Sequence, residues 1–264
     1  MTPPSPSDPE RRFVELSGGP AAYTDEGVGQ PVVLVHGLPG SSRDFRWLAP
    51  WLSEAARVIR PDLPGFGKTP IAAGPDPSPE GRARFVLELL DALEVERSIL
   101  VGHSMGGVVA CAAVSASPES FERLVLLASP GVRAHAAFRR LPLAFIDSLL
   151  SRPRARRALR PVIRRLFAWS GFRGYPDREL ERTLQCVAAT SIDDHARRVR
   201  SLSIPTMVGW CDDDPLIEAE IMAELADVCP DGPRLHFALG GHNLQKSYAQ
   251  EVAEALLTWP KPHA

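Results

Sequence analysis

The sequence predicts an α/β fold, a doubly wound and mostly parallel sheet with an all-helical segment inserted in its second half. Three observations lead there. Short apolar runs such as Pro31-Val32-Val33-Leu34-Val35, Ser98-Ile99-Leu100-Val101 and Leu124-Val125-Leu126-Leu127 read as strands buried on both faces, as parallel strands are. Amphipathic helical stripes lie between them, so strand and helix alternate up to about residue 130 and again from residue 205. Between those halves the strand pattern fades. Helical stripes replace it, among them Leu141, Phe145, Ile146, Leu149 and Val162, Ile163, Leu166, Phe167.

In chain order, MTPPSPSDPE reads as a disordered leader over residues 1–10. Arg12–Leu16 and Ala21–Thr24 form a hairpin around Gly18-Gly19-Pro20. The strand Pro31–Val35 runs into His36-Gly37-Leu38-Pro39-Gly40, a tight loop at a strand's carboxyl end, where open α/β sheets place their ligands. A helix is expected over Ser41–Leu52, with Phe45, Leu48 and Leu52 inward, and a strand over Arg57–Arg60. The Gly67-Lys68-Thr69 that follows is no phosphate loop, because Asp62 stands where that motif needs Gly and no helical run succeeds it. Ser78 caps a helix carrying Phe85, Leu89, Leu90 and Leu93 on one stripe. After the insertion come a strand at Thr206–Trp210, a helix over Pro215–Cys229, a strand at Leu235–Leu239 and a closing helix over Gln245–Trp259. The domain organisation is therefore a core of residues 11–130 and 204–260 with a helical insertion at 131–203.

At 264 residues the chain can bury a sizeable core, and its net charge of −2 gives no reason to expect nucleic-acid binding. Charge is uneven, however. Residues 131–200 carry 16 Arg against 6 acidic residues, a net +10, leaving −12 for the rest. Those arginines suit a solvated outer face; the clusters Arg152–Arg157 and Arg164-Arg165 also keep attraction to anionic lipids in view. The four cysteines are far apart and include no C-x-x-C, so neither a zinc site nor a disulfide framework is expected, and no cofactor is implied. With no secretory signal and no apolar run of about 18 residues, a cytoplasmic location is the expectation.

The chemistry is carried by Gly102-His103-Ser104-Met105-Gly106 between a strand and a helix. A serine at the apex of so sharp a turn is strained, and it needs neighbours without side chains two residues either side, here Gly102 and Gly106. The turn exposes the Ser104 hydroxyl and leaves the Met105 amide at a helix N-terminus, aimed where charge gathers on an attacked carbonyl. The Leu38 amide is the candidate second donor.

With His36-Gly37, Gly102–Gly107, Asp214-Pro215-Leu216-Ile217 and Gly241-His242-Asn243 in that order, the chain resembles the α/β-hydrolase family from about Phe13 to Trp259. The resemblance implies the α/β-hydrolase fold, with the helical insertion as the family's variable cap. It also implies a triad in the order serine, acid, histidine: Ser104 as nucleophile and His242 as general base. For the acid, aligning on Pro215-Leu216-Ile217 selects Asp214 and aligning on Gly209 selects Asp212, with Asp213 between them. Asp214 is preferred, since the apolar residues after it fix the start of the helix. The other histidines, His36, His103, His135, His195, His236 and His263, are expected in structural or supporting roles.

Haloalkane dehalogenases and epoxide hydrolases of the same fold use an aspartate nucleophile, whose alkyl ester retains a carbonyl for water to attack. Ser104 would form an ether instead, so that chemistry is excluded. The expected reaction is cleavage of a carboxylic ester of a small hydrophobic molecule through an acyl-enzyme. Lactones, thioesters and vinylogous C–C bonds are open to the same triad. Some proteins resembling this fold keep the triad yet act as small-ligand receptors, which is the alternative of another class.

Overall fold

The computed structural model describes residues 4–136, 139, 148–149, 152–169 and 171–260. Its sheet is eight-stranded among those residues, built from β1 (Arg12–Leu16), β2 (Gly19–Glu26), β3 (Gln30–Val35), β4 (Ala56–Pro61), β5 (Ser98–His103), β6 (Phe121–Leu127), β7 (Thr206–Cys211) and β8 (Arg234–Phe237) in the order β1-β2-β4-β3-β5-β6-β7-β8. The β1–β2 and β2–β4 pairs are antiparallel, and every later pair is parallel.

Side chains of a strand alternate between faces, and the apolar runs divide accordingly. Val33, Val35, Leu100, Leu124 and Leu126 pack on one face with helices α2 (Pro79–Ala92) and α3 (Met105–Ala116). Val32, Leu34, Val101, Val125 and Leu127 pack on the other, against Leu48, α1 (Ala49–Ser53) and the C-terminal helix. This two-sided burial is why these strands are continuously apolar.

Helices bend or end where local chemistry competes with them. The helix expected over Ser41–Leu52 is a 3₁₀ turn at Ser42–Phe45 followed by α1, with Pro50 in the first turn of α1, where it has no N–H to donate back to Arg46 O and so cannot join α1 to the turn before it. Phe45, Leu48 and Leu52 are nonetheless fully buried.

The insertion leaves the sheet after β6 and returns before β7, its neighbour. Its described helices are α4 (Pro153–Trp169), α5 (Asp177–Ala188) and α6 (Ile192–Arg200). Ile163 and Phe167 of α4 meet Leu180 and Leu184 of α5 in a small core of their own. Leu141, Phe145 and Ile146 of the expected stripe lie outside the described residues. Several insertion arginines find acids: Arg160 pairs with Glu181 and Arg164 with Asp177, both at 2.7 Å, and Arg133 pairs with Glu224 of the core at 2.8 Å.

After β7 come α7 (Ala219–Val228), α8 (Leu244–Ser247) and α9 (Ala249–Thr258). The closing helix is interrupted at Tyr248, whose ring stacks on Phe237 and whose hydroxyl donates to Leu239 O at 2.8 Å. Residues 4–10, expected as a disordered leader, have no regular structure, and Ser7 N–H donates to Arg46 O at 2.8 Å. No helix among the described residues is long and apolar enough to cross a membrane.

Candidate active site

The turn after β5 holds Ser104 at φ +52° and ψ −129°, a left-handed conformation that is strained for any residue with a side chain. Close packing enforces it. A Cβ on Gly102 would lie 2.5 Å from Gly107 Cα, and one on Gly106 would lie 2.2 Å from Val35 O. The Ser104 N–H donates to Leu127 O at 2.9 Å, tying the apex to the next strand. Met105 begins α3, whose first N–H groups have no acceptor within the helix.

The loop after β3 lies directly against this turn, since a Cβ on Gly37 would stand 2.9 Å from Ser104 Cβ. His36 is fully buried. Its Nε2 accepts the Leu63 N–H at 2.9 Å, so the ring proton sits on Nδ1 and is donated to Gly37 O at 2.7 Å. A trans peptide carries its carbonyl and the next N–H on opposite edges. Drawing Gly37 O toward His36 therefore turns the Leu38 N–H the other way.

The loop after β7 resolves the three aspartates. Asp214 Oδ2 accepts from His242 Nδ1 at 2.8 Å, while Oδ1 accepts the N–H groups of Leu216 and Ile217 at 2.8 and 3.2 Å. Those local bonds also delay the helix expected from Pro215 until Ala219. Asp213 accepts the Gly241 N–H at 2.7 Å, and Asp212 accepts from the exposed His236 at 2.6 Å. The buried carboxylate thus faces His242, leaving Nε2 as the ring's second nitrogen.

His103 is buried in the elbow, and its Nε2 donates to His242 O at 2.9 Å with the two rings 5.0 Å apart. Burial and the nearby His242 push its pKa down to about 3, so the ring is neutral. His195 donates from Nε2 to Pro130 O at 2.9 Å, His236 stacks on Trp210, and His135 is buried. His263 lies outside the described residues.

Ser104 and His242 line one cavity of about 500 Å³ together with Gly37 and Leu38. The turn between α4 and α5 covers it with Phe172 and Tyr175, and Leu216 adds a further apolar wall. Asn243 of the histidine loop lines it too, as do three polar residues that the sequence did not single out: Asp44, Lys246 and Ser247. Burial raises the Asp44 carboxyl to about 7, although it accepts the Ser41 N–H at 3.3 Å. The Ser41-x-x-Asp44 spacing signals only a helix cap, so nothing in the letters marks Asp44 as a cavity residue. Among the described residues no group of three or more His, Cys, Asp or Glu gathers to hold a metal ion.

Comparison with known proteins agrees with this architecture. Residues 30–157 match the family model for the alpha/beta hydrolase fold. A 2-hydroxy-6-oxo-2,4-heptadienoate hydrolase of Pseudomonas putida is 40% identical over 124 residues, which are 46% of this chain and 45% of that protein. The match to this relative thus spans about half of each chain. Lipase 1 of Psychrobacter immobilis is 26% identical over 270 residues, covering 94% of this chain and 83% of its own. The crystal structure of a bromoperoxidase from Bacillus anthracis superposes with a TM-score of 0.73 at 25% identity, covering 94% of this chain and 98% of that one. The chain has the α/β-hydrolase fold.

Proposed function

We propose that the protein is a serine hydrolase that cleaves carboxylic esters of small molecules through an acyl-enzyme on Ser104. The observation that carries this reading is the 2.8 Å bond from His242 Nδ1 to the buried Asp214 carboxylate, in a cavity that His242 shares with Ser104. A serine hydroxyl is a poor nucleophile at neutral pH, so a histidine must take its proton and a carboxylate must hold the ring and stabilise its cation. In this scheme Ser104 attacks the carbonyl carbon and the Leu38 and Met105 amides bind the oxyanion. His242 then protonates the departing alcohol and activates the water that releases the acid. Phe172, Tyr175 and Leu216 suit an apolar acyl or aryl group.

A second reading, hydrolysis of a C–C bond beside a carbonyl, draws on the likeness to the dienoate hydrolase. The polar residues Asn243 and Lys246 beside His242 suit an oxygen-rich substrate of that kind. One experiment covers both. Wild type and Ser104→Ala are assayed on p-nitrophenyl esters of rising chain length and on a 2-hydroxy-6-oxo-dienoate. Ester turnover lost in the variant is the expected result; turnover of the dienoate alone would favour the second reading, and equal rates in both proteins would refute both.

A further inference from the structure

Two arginines lie buried where the inserted helices meet the core. Arg82, in the first turn of α2, is 0% exposed, and Arg182, on α5, is 3% exposed. Arg82 stands one turn before Phe85 on the inward stripe of α2, a position that calls for an apolar side chain. Its Nε donates to Ser78 O at 3.3 Å, and Arg182 donates to Pro75 O and Gly74 O at 3.0 and 2.8 Å. All three acceptors are neutral carbonyls. Both terminal nitrogens of Arg82 and the Nε of Arg182 are buried without a hydrogen-bond partner.

Among the described residues no carboxylate hydrogen-bonds to either guanidinium. Asp76 is the acid whose field reaches Arg82, but its oxygens accept from Ser78 N–H at 2.9 Å and Arg84 at 2.7 Å. Glu181, beside Arg182 in sequence, accepts from Arg160 at 2.7 Å. Guanidinium groups stay protonated in proteins, and a buried cation without a counter-charge is strongly unfavourable. Burial and the neighbouring Arg182 both pull the Arg82 pKa below its usual range.

We propose that Arg82 and Arg182 together bind a small inorganic anion of chloride's class, held between α2 and α5 by the three donor nitrogens that lack partners. Closure of those donors from solvent selects a small, weakly hydrated ion over a bulky organic one. Since Arg82 belongs to the core and Arg182 to the insertion, the ion fastens one to the other. It would also screen the Arg82 charge felt at His36, the residue that orients the Gly37 carbonyl. The inference does not depend on the reaction assigned to Ser104.

The test compares melting of the full chain in sodium chloride, sodium bromide and sodium gluconate at matched ionic strength. A saturating rise of roughly 3–8 °C is expected in chloride and bromide over gluconate, and Arg82→Met, close in volume, should lose that difference. The readout is the difference between salts, so any stabilisation that Met itself brings does not enter. Crystals soaked in bromide should show an anomalous peak between the two guanidiniums, a measurement that needs no variant. Equal melting of wild type in all three salts, or bromide-soaked crystals without that peak, would overturn the proposal. The thiol of buried Cys186, whose charge would reach Arg82, is the rival counter-ion. A salt-independent wild type strongly destabilised by Cys186→Ala would give it the role and overturn the anion site.

Discussion

At Asp212, Asp213 and Asp214 one side-chain type meets three environments. Asp212 reaches out to exposed His236 and Asp213 pins the Gly241 backbone, while Asp214 lies buried against His242. Asp214→Asn should lower kcat by about 10³–10⁴-fold, as expected when the carboxylate that fixes a catalytic histidine's tautomer is lost. Asp212→Asn should stay within a few-fold of wild type. Steady-state kinetics on one ester checks both, and a reversed order would move the acid to Asp212. In the sequence two alignments compete for these positions, because choosing between them requires knowing which carboxylate points inward. His103 was equally unreadable in full: its place in the elbow is visible, but the carbonyl it holds lies 139 residues downstream.

The turn at Ser104 shows what an element can disclose before its structure is known. Gly102, Ser104 and Gly106 announce a strand, a strained apex and a helix pressed against its neighbours, and the contacts behind those letters are the ones observed. Gly106→Ala would drive a methyl to 2.2 Å from Val35 O, a backbone atom with nowhere to go. A loss of about 3 kcal/mol or more is expected in denaturant unfolding. Ser104→Gly should instead melt above Ser104→Ala, by the equivalent of about 1 kcal/mol, because glycine accepts φ +52° without strain. Equal melting temperatures would mean that the turn stores no strain. Helix ends were less legible than strands. Pro50, the Asp214 turn and the Tyr248 stack each shorten a helix that periodicity alone would extend.

Across the whole molecule, His195 joins the insertion to the loop after β6 by donating to Pro130 O from a fully buried ring. Burial lowers its pKa from 6.5 to about 4, so the folded protein keeps it neutral. Between those values the unfolded chain binds the extra proton. Stability from this residue is therefore complete above pH 6.5 and lost as pH falls toward 4. The contribution is up to about 3 kcal/mol. His195→Gln should flatten the decline in melting temperature over that interval, and superimposable profiles would contradict the assignment. Alternation of strand and helix made the parallel sheet legible, and its loss marked the insertion. What covers the cavity was not legible, because Phe172 and Tyr175 owe their places to packing between helices rather than to any local pattern.

The chain departs from β6 and comes back on β7, and these two strands lie side by side, paired from Leu124↔Thr206 to Leu127↔Gly209. Everything between them is an excursion that the sheet does not need for its own continuity. A lineage could lengthen, shorten or exchange that excursion while the ends of β3, β5 and β7 stayed in place. What the protein accepts and how it reacts with it can thus be inherited, and altered, on separate schedules.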